Sequence, residues 1–382
     1  MNDSNYKLLS LLICAMRGEG GGRLLAAEMS DEEIKQLYEL AKKHDLTHLV
    51  GVALEDLEPQ EKVRYKPFFQ AAVKSMYRHE WLVGEQNKIF ALLEEQEIPY
   101  IPLKGSVIRA LYREPWHRLS CDIDVLIPEE HLERASAALE AELAYTRGKK
   151  SPHELSFTAA NGVHLELHFD LEEIYVDGSE LWNDAKPLSD GSYQCILSTE
   201  MLLLTHVSHM AKHFVNGGCG LRPFLDLWLM NEKLAFNREK LEKMLESHGL
   251  DEFGKAVFGL VDVWFEGKAA SETEVAVASY VLPAGVYGDL DNRISVSLSR
   301  GESKLAYGVK RIFPPRSSLK IAYPILEKHP VLLPVCWGRR WVRLLRDGKL
   351  KQAKREYDIN RRMDSSKLND TAALLKSLNL KA

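Results

Sequence analysis

Cys121-Asp122-Ile123-Asp124-Val125-Leu126-Ile127-Pro128 is the stretch on which the fold turns. A short, largely apolar run closed by proline predicts a buried strand over 122–127. Side chains on a strand alternate with a period of two, so Asp122 and Asp124 share one face, while Ile123 and Val125 share the other. Two neighbouring carboxylates on such a strand are costly to bury without compensating positive charge. A divalent cation supplies it: Mg2+ is hard and is held by one or two carboxylates plus substrate phosphates, and Mn2+ suits the same oxygens. The competing reading is a strand end where both acids reach water or pair with Arg118.

Upstream, Ile98–Leu103 (IPYIPL) reads as a modest strand marked by Pro99 and Pro102. Leu103-Lys104-Gly105-Ser106 then turns the chain. Gly105 lets the backbone approach a ligand closely, and Ser106 opens a helix whose first amides can meet phosphate oxygens. Lys104 and Arg118 add positive charge nearby. Downstream, Pro128 suits the first turn of a helix running to about Ala141, with Glu129 and Glu130 at its positive end. HELSFTA and VHLELHF follow, split by Ala160-Asn161-Gly162, a hairpin signal. In the second run His164, Glu166 and His168 share a face opposite Val163, Leu165 and Leu167. If that strand neighbours 122–127, Glu166 completes a three-carboxylate cluster able to hold two metal ions. His168 then lies beside it, or is a core histidine bonded to a backbone carbonyl.

Helices flank this unit. Ser30 and Glu33 form a capping box ahead of a face built from Ile34, Leu37, Leu40 and Ala41. A second helix is predicted over Lys66–Glu94, with Phe69, Val73, Met76, Leu82 and Leu92 on its apolar positions. From Ser198 the chain is helical again, and one helix carries His206, His209 and His213. Residues 270–300 show no clear pattern, 303–358 read as helix broken by prolines, and the last twenty residues are weakly patterned. The expected fold class is α+β: residues 1–95 an N-terminal helical region, 96–195 a small mixed-sheet α/β core, and 196–382 a mostly helical C-terminal region. A sheet unit of residues 98–170 is small for enclosing a ligand. Its acid-bearing edge is therefore expected to open as a cleft towards the later helices, with His209, His213, Arg222 and Asp226 nearest. Arg222 is the choice for contact with a phosphate or acceptor; the other reading pairs it with Asp226, four residues on.

Composition bounds the partners. The net charge is -5, so no general attraction to nucleic acid or anionic lipid follows. Residues 301–362 nevertheless carry sixteen Lys and Arg against five Asp and Glu, either a solvated helical surface or a hold on a phosphate-rich partner. There Arg339, Arg340, Arg343 and Arg346 lie beside Trp337 and Trp341, which stack on bases or anchor the helix. Five dispersed cysteines without a CxxC pair exclude a disulfide framework. No apolar run is long enough for a membrane span. Leu8–Met16 lacks a cleavage pattern and reads as a first helix, with the cytoplasm as the expected compartment.

Phosphate-gripping turn, paired acids, then a lone acid on a later strand: this order resembles the DNA polymerase beta-like nucleotidyltransferase superfamily. The segments LKGSVIRALYREPWHRLSCDIDVLIPEEHLERA, HLELHFDL, THVSHMAKH and LRPFLDLWLM resemble more closely a family of uncharacterised bacterial nucleotidyltransferases within it. The resemblance implies a metal-dependent transfer of a nucleoside monophosphate from an NTP to an unidentified acceptor, small molecule, peptide or protein. It implies Asp122, Asp124 and Glu166 as metal-binding catalytic residues. Gly105 and Ser106 resemble the phosphate-contacting turn, and Lys104, Arg118, His168, His209, His213 and Asp226 match basic, histidine or acidic positions of the closer family. One departure stands out: Ser106 and Asp122 are 16 positions apart, a longer loop than the superfamily usually has. Three rival readings accompany this one: a catalytically silent nucleotide-binding or regulatory module, an RNA-directed nucleotidyltransferase, and a His-Asp phosphohydrolase built on the histidine helix. The last is weakened by the lack of any His-Asp dipeptide.

Overall fold

In a computed structural model, which describes residues 3–380 except 19, 172–173, 287, 321 and 349, the acid-bearing run is a strand, Asp122–Leu126, second of five in the main sheet. In chain order these are β1 (Ile101–Pro102), β2 (Asp122–Leu126), β3 (Thr146–Lys150), β4 (Glu154–Thr158) and β5 (His164–His168), and across the sheet they run β1-β2-β5-β4-β3. β1 is only two residues long, as its bordering prolines dictate, and lies antiparallel at the edge. β4 and β5 are the expected hairpin, and Gly162 takes φ +86° in its turn. The decisive pairing is β2 with β5, parallel and in a register that sets Asp122 against His164, Asp124 against Glu166 and Leu126 against His168.

Burial of the opposite face holds that register. Ile123, Val125, Leu165 and Leu167 are fully buried against Ile89, Leu92 and Leu93 of the long helix Lys66–Glu95 and Ala135 and Leu139 of the helix Leu132–Glu142. Each such side chain contributes about 1.5–3 kcal/mol. A one-residue slip would exchange these side chains for the acids, so the core imposes the alignment of Asp124 with Glu166. The fold is a mixed α/β architecture, a small sheet flanked by N-terminal helices and a large C-terminal helical region.

The helical readings meet the structure unevenly. Ser30 and Glu33 form the capping box, and Leu8, Leu11 and Leu12 are buried in the first helix, Asp3–Arg17. In the long helix Leu82 and Leu92 are core, but Val73 and Met76 are 52% and 45% exposed. The N-terminal half of that helix runs beyond the sheet, so part of its apolar row has no sheet to cover. β3 has no apolar alternation to mark it in the sequence, because TRGKK is exposed throughout; it pairs with β4 through the backbone and through Ser156 Oγ, which accepts from the Lys149 amide at 3.0 Å. Residues 270–300 form two helices, Glu272–Val281 and Leu290–Ser299, and the weakly patterned C-terminus forms a third, Ser365–Ser377. The last two are joined by a buried hydrogen bond from Ser295 Oγ to Thr371 Oγ1, 2.7 Å. Trp337 donates its indole N–H to the Pro314 carbonyl at 2.9 Å and so anchors its helix. Among the described residues, no helix is long and apolar enough to cross a membrane.

Candidate active site

The face left polar by this packing gathers Asp122, Asp124, Glu166 and His168. Asp124 is the centre. Its Oδ1 lies 3.0 Å from Lys104 Nζ and 3.0 Å from His168 Nε2. His168 Nε2 is also 3.6 Å from Glu166 Oε2, and its Nδ1 is 3.6 Å from Glu154 Oε2. Ligand atoms of Asp124, Glu166 and His168 all lie within 4.8 Å of one another, a spacing that fits one metal ion. Asp122 stands outside this group, one alternation earlier on β2.

Electrostatics divides the two aspartates. Burial, then the charges of Asp124 and Glu166, push the Asp122 carboxyl up to about 6. Burial also opposes ionisation of Asp124, but Lys104 and His168 outweigh it and hold that carboxyl well below the usual range. Burial works against His168 as a cation, yet its hydrogen bonds to Asp124 and Glu166 raise it to about 9. Negative charge is thus in excess around Asp122. A carboxylate-rich donor set with one imidazole fits a hard divalent cation, which would relieve that excess.

The turn before β2 is fastened to it. Leu103 donates its amide to the Asp124 carbonyl at 3.1 Å, and Lys104 adopts φ +44°, the left-handed region, to bring its ammonium back over Asp124. A Cβ on Gly105 would sit 2.3 Å from Ser120 Oγ and 2.7 Å from Arg118 Nη1, so only glycine fits. The expected role of the helix amides is corrected: those of Ser106 and Val107 bond back to the carbonyls of Leu103 and Lys104. The Ser106 hydroxyl is buried and without a protein partner. Arg109, which the sequence reading passed over, holds the turn from behind, donating Nε to the Gly105 carbonyl at 2.7 Å. Burial and the nearby Arg118 lower its guanidinium to about 10. Its place one helical turn after Gly105 was the available signal.

Asp122, Asp124, Lys104, Gly105 and Arg118 line a cavity of about 340 Å³ whose far wall is helical, with His206, His209, His213, Arg222 and Asp226. This matches the expected cleft, and its size is within the range of small-molecule sites. The charged pairs across it differ from expectation. Arg118 points its guanidinium fork at Asp226 through two hydrogen bonds of 2.8 Å each, and Tyr112 donates to the same carboxylate at 2.7 Å. Arg222 does not pair with Asp226; its Nη2 is 2.5 Å from Asp45 Oδ2. His206 bonds the Pro223 carbonyl at 2.8 Å, whereas His209 and His213 face each other with Nε2 atoms 3.0 Å apart.

Comparison with known proteins agrees with this geometry at the level of family. Residues 30–266 match the family described as "Uncharacterised nucleotidyltransferase". Among solved structures, the chain is similar to the antibiotic-resistance factor ANT(2'')-Ia in solution, at 17% identity and TM-score 0.35, over 44% of this chain and 91% of that one. A crystal structure of ANT(2'')-Ia with adenylyl-2''-tobramycin is similar at 16% identity and TM-score 0.34, over 44% and 95%. A search of curated proteins returned no match. With more than half its length in the family match, and the turn, acid pair and third acid assembled beside one sheet face, the chain belongs to this uncharacterised nucleotidyltransferase family.

Proposed function

We propose that the protein transfers a nucleoside monophosphate from an NTP to an acceptor oxygen, with Mg2+ or Mn2+ as the metal. The observation that carries this reading is the parallel register of β2 and β5, which sets Asp124 beside Glu166 on the face overlooked by the Lys104–Ser106 turn. In the reaction the acceptor oxygen bonds to the α-phosphorus, the bond from that phosphorus to the bridging oxygen breaks, pyrophosphate leaves with the electron pair, and the acceptor proton passes to solvent. Asp122, Asp124 and Glu166 would hold the metal, which supplies charge neutralisation at the phosphates and a more acidic acceptor hydroxyl. His168 orients Asp124 and, once neutral, offers a nitrogen of its own. Ser106 would donate its hydroxyl to a phosphate oxygen, and Lys104, which neutralises Asp124 here, would be free to reach the triphosphate were a metal held by that carboxylate. Arg118 acts through Asp226 and Ser120, bracing the turn from which Gly105 and Ser106 face the nucleotide. Arg222, with its Nε buried and lacking a protein partner, lies on the helical wall of the cavity, within reach of a phosphate or the acceptor held there.

The test is incubation with the four labelled NTPs and either metal, followed by mass analysis of protein and candidate acceptors. Pyrophosphate release and a mass gain of one nucleoside monophosphate are expected, both lost in Asp124→Ala. Full transfer by that variant would remove the assignment.

A further inference from the structure

A second and larger concavity, about 1220 Å³, runs along the half of Lys66–Glu95 that leaves the sheet. Its floor is a ladder of side chains four residues apart: Phe69, Val73, Tyr77 and Trp81. At 1.5 Å per residue the ladder extends for roughly 18 Å. Tyr77 and Trp81 are 66% and 62% exposed, too much apolar surface on one stripe for a helix that merely faces water. Charge is arranged around it with one sign: Lys62, Lys66, Lys74 and Arg78 line the groove, and no carboxylate does among the described residues. The groove also abuts the active-site cavity at one residue. Cys121, adjacent to Asp122, lines both concavities, and His164, in register with Asp122, lies at the groove's end.

We propose that this groove seats the acceptor, and that the acceptor is a polypeptide segment, acidic and apolar, which delivers a hydroxyl side chain past Cys121 to the metal site. The volume exceeds the range of small-molecule pockets and the trough is open along its length, which fits an extended segment. The one-signed charge of the lining favours an anionic occupant. Phe69, Tyr77 and Trp81 offer planes on which bases can stack, but Val63, Val73 and Leu82 break up that row with aliphatic surface, which matches the side chains of a polypeptide better than successive bases. The role as acceptor site rests on the transfer reading above, whereas binding to the groove does not.

Fluorescence anisotropy on the full chain, without NTP or metal, tests it. The probes are a labelled 15-residue peptide of leucine and glutamate with one serine, its counterpart with lysine for glutamate, and a 15-nucleotide oligouridylate. The acidic peptide is expected to bind at least tenfold more tightly than either other probe and to alter tryptophan fluorescence. Trp81→Glu and the double variant Lys74→Glu/Arg78→Glu should each weaken it tenfold or more with unchanged circular dichroism, since these side chains lie at the surface. Asp124→Asn should bind the peptide as the wild type does. Tighter binding of oligouridylate, acidic-peptide binding that survives both groove variants, or no binding of any probe overturns the proposal. Groove-dependent peptide binding in a protein that transfers no nucleotide would sustain the docking site while removing the transfer reading.

Discussion

Replacing Asp226 by asparagine isolates the strongest buried electrostatic contact beside the cavity. The Arg118 and Asp226 side chains are only 10% and 2% exposed, and they share two parallel hydrogen bonds of 2.8 Å. Asparagine preserves the shape and one acceptor, so packing changes little, but Arg118 is left as a buried cation without its counter-charge. Breaking a buried pair on one side costs about 3–5 kcal/mol. The hydrogen bond from Tyr112 keeps an acceptor, which places the expected loss near the lower figure. With a denaturant slope of about 3 kcal/mol per molar urea, the unfolding midpoint should fall by roughly 1 M. Removing both charges, as in Arg118→Met with Asp226→Leu, abolishes the uncompensated cation, so the double variant should recover most of the loss. Urea titrations of wild type, both single variants and the double variant, followed by tryptophan fluorescence, measure this directly. A shift for Asp226→Asn below that of about 1 kcal/mol, or a double variant no better than the worse single one, would refute the account of Arg118 as a brace.

Three other outcomes are expected. Asp124→Asn should lower Mn2+ affinity, read by electron paramagnetic resonance, by about a hundredfold or more, with circular dichroism unchanged; wild-type affinity would contradict the ligand set. Gly105→Ala forces Ser120 and Arg118 aside, so NTP affinity by calorimetry should fall at least tenfold and stability by about 1–3 kcal/mol; unaltered NTP binding would show that the turn does not meet the nucleotide. Burial lowers His44, His48 and His117 each to about 4. Their folded-state values lie below the unfolded one near 6.5, so the stability they contribute is complete above about pH 6.5 and is lost as pH falls towards 4. Urea midpoints should therefore drop from pH 7 to pH 5, and a flat profile would show that these histidines take up protons without penalty.

What the sequence made legible was local. The acid pair was readable because strand periodicity needs only five residues, the hairpin because Asn161-Gly162 sits between two alternating runs, and the capping box because Ser30 and Glu33 are three apart. The partners of the charges were not. Arg222 and Asp226 are four apart on one helix, the spacing at which a pair is expected, yet Asp226 meets Arg118, 108 positions away, and Arg222 meets Asp45, 177 positions away. An exposed helical pair is worth only a few tenths of a kcal/mol, whereas Asp226 is 1% exposed and must be matched by a fixed, well-aimed cation. Tertiary demand overrules local spacing by an order of magnitude. The same reasoning covers His168, which read equally well as core or site. A lone buried histidine satisfies itself with a carbonyl, as His206 does, but β5 sets this one within reach of Asp124, Glu166 and Glu154. Only the pairing of β2 with β5 decides between those readings, and the buried row from Ile123 to Leu167 on the far face of the sheet is what decides the pairing.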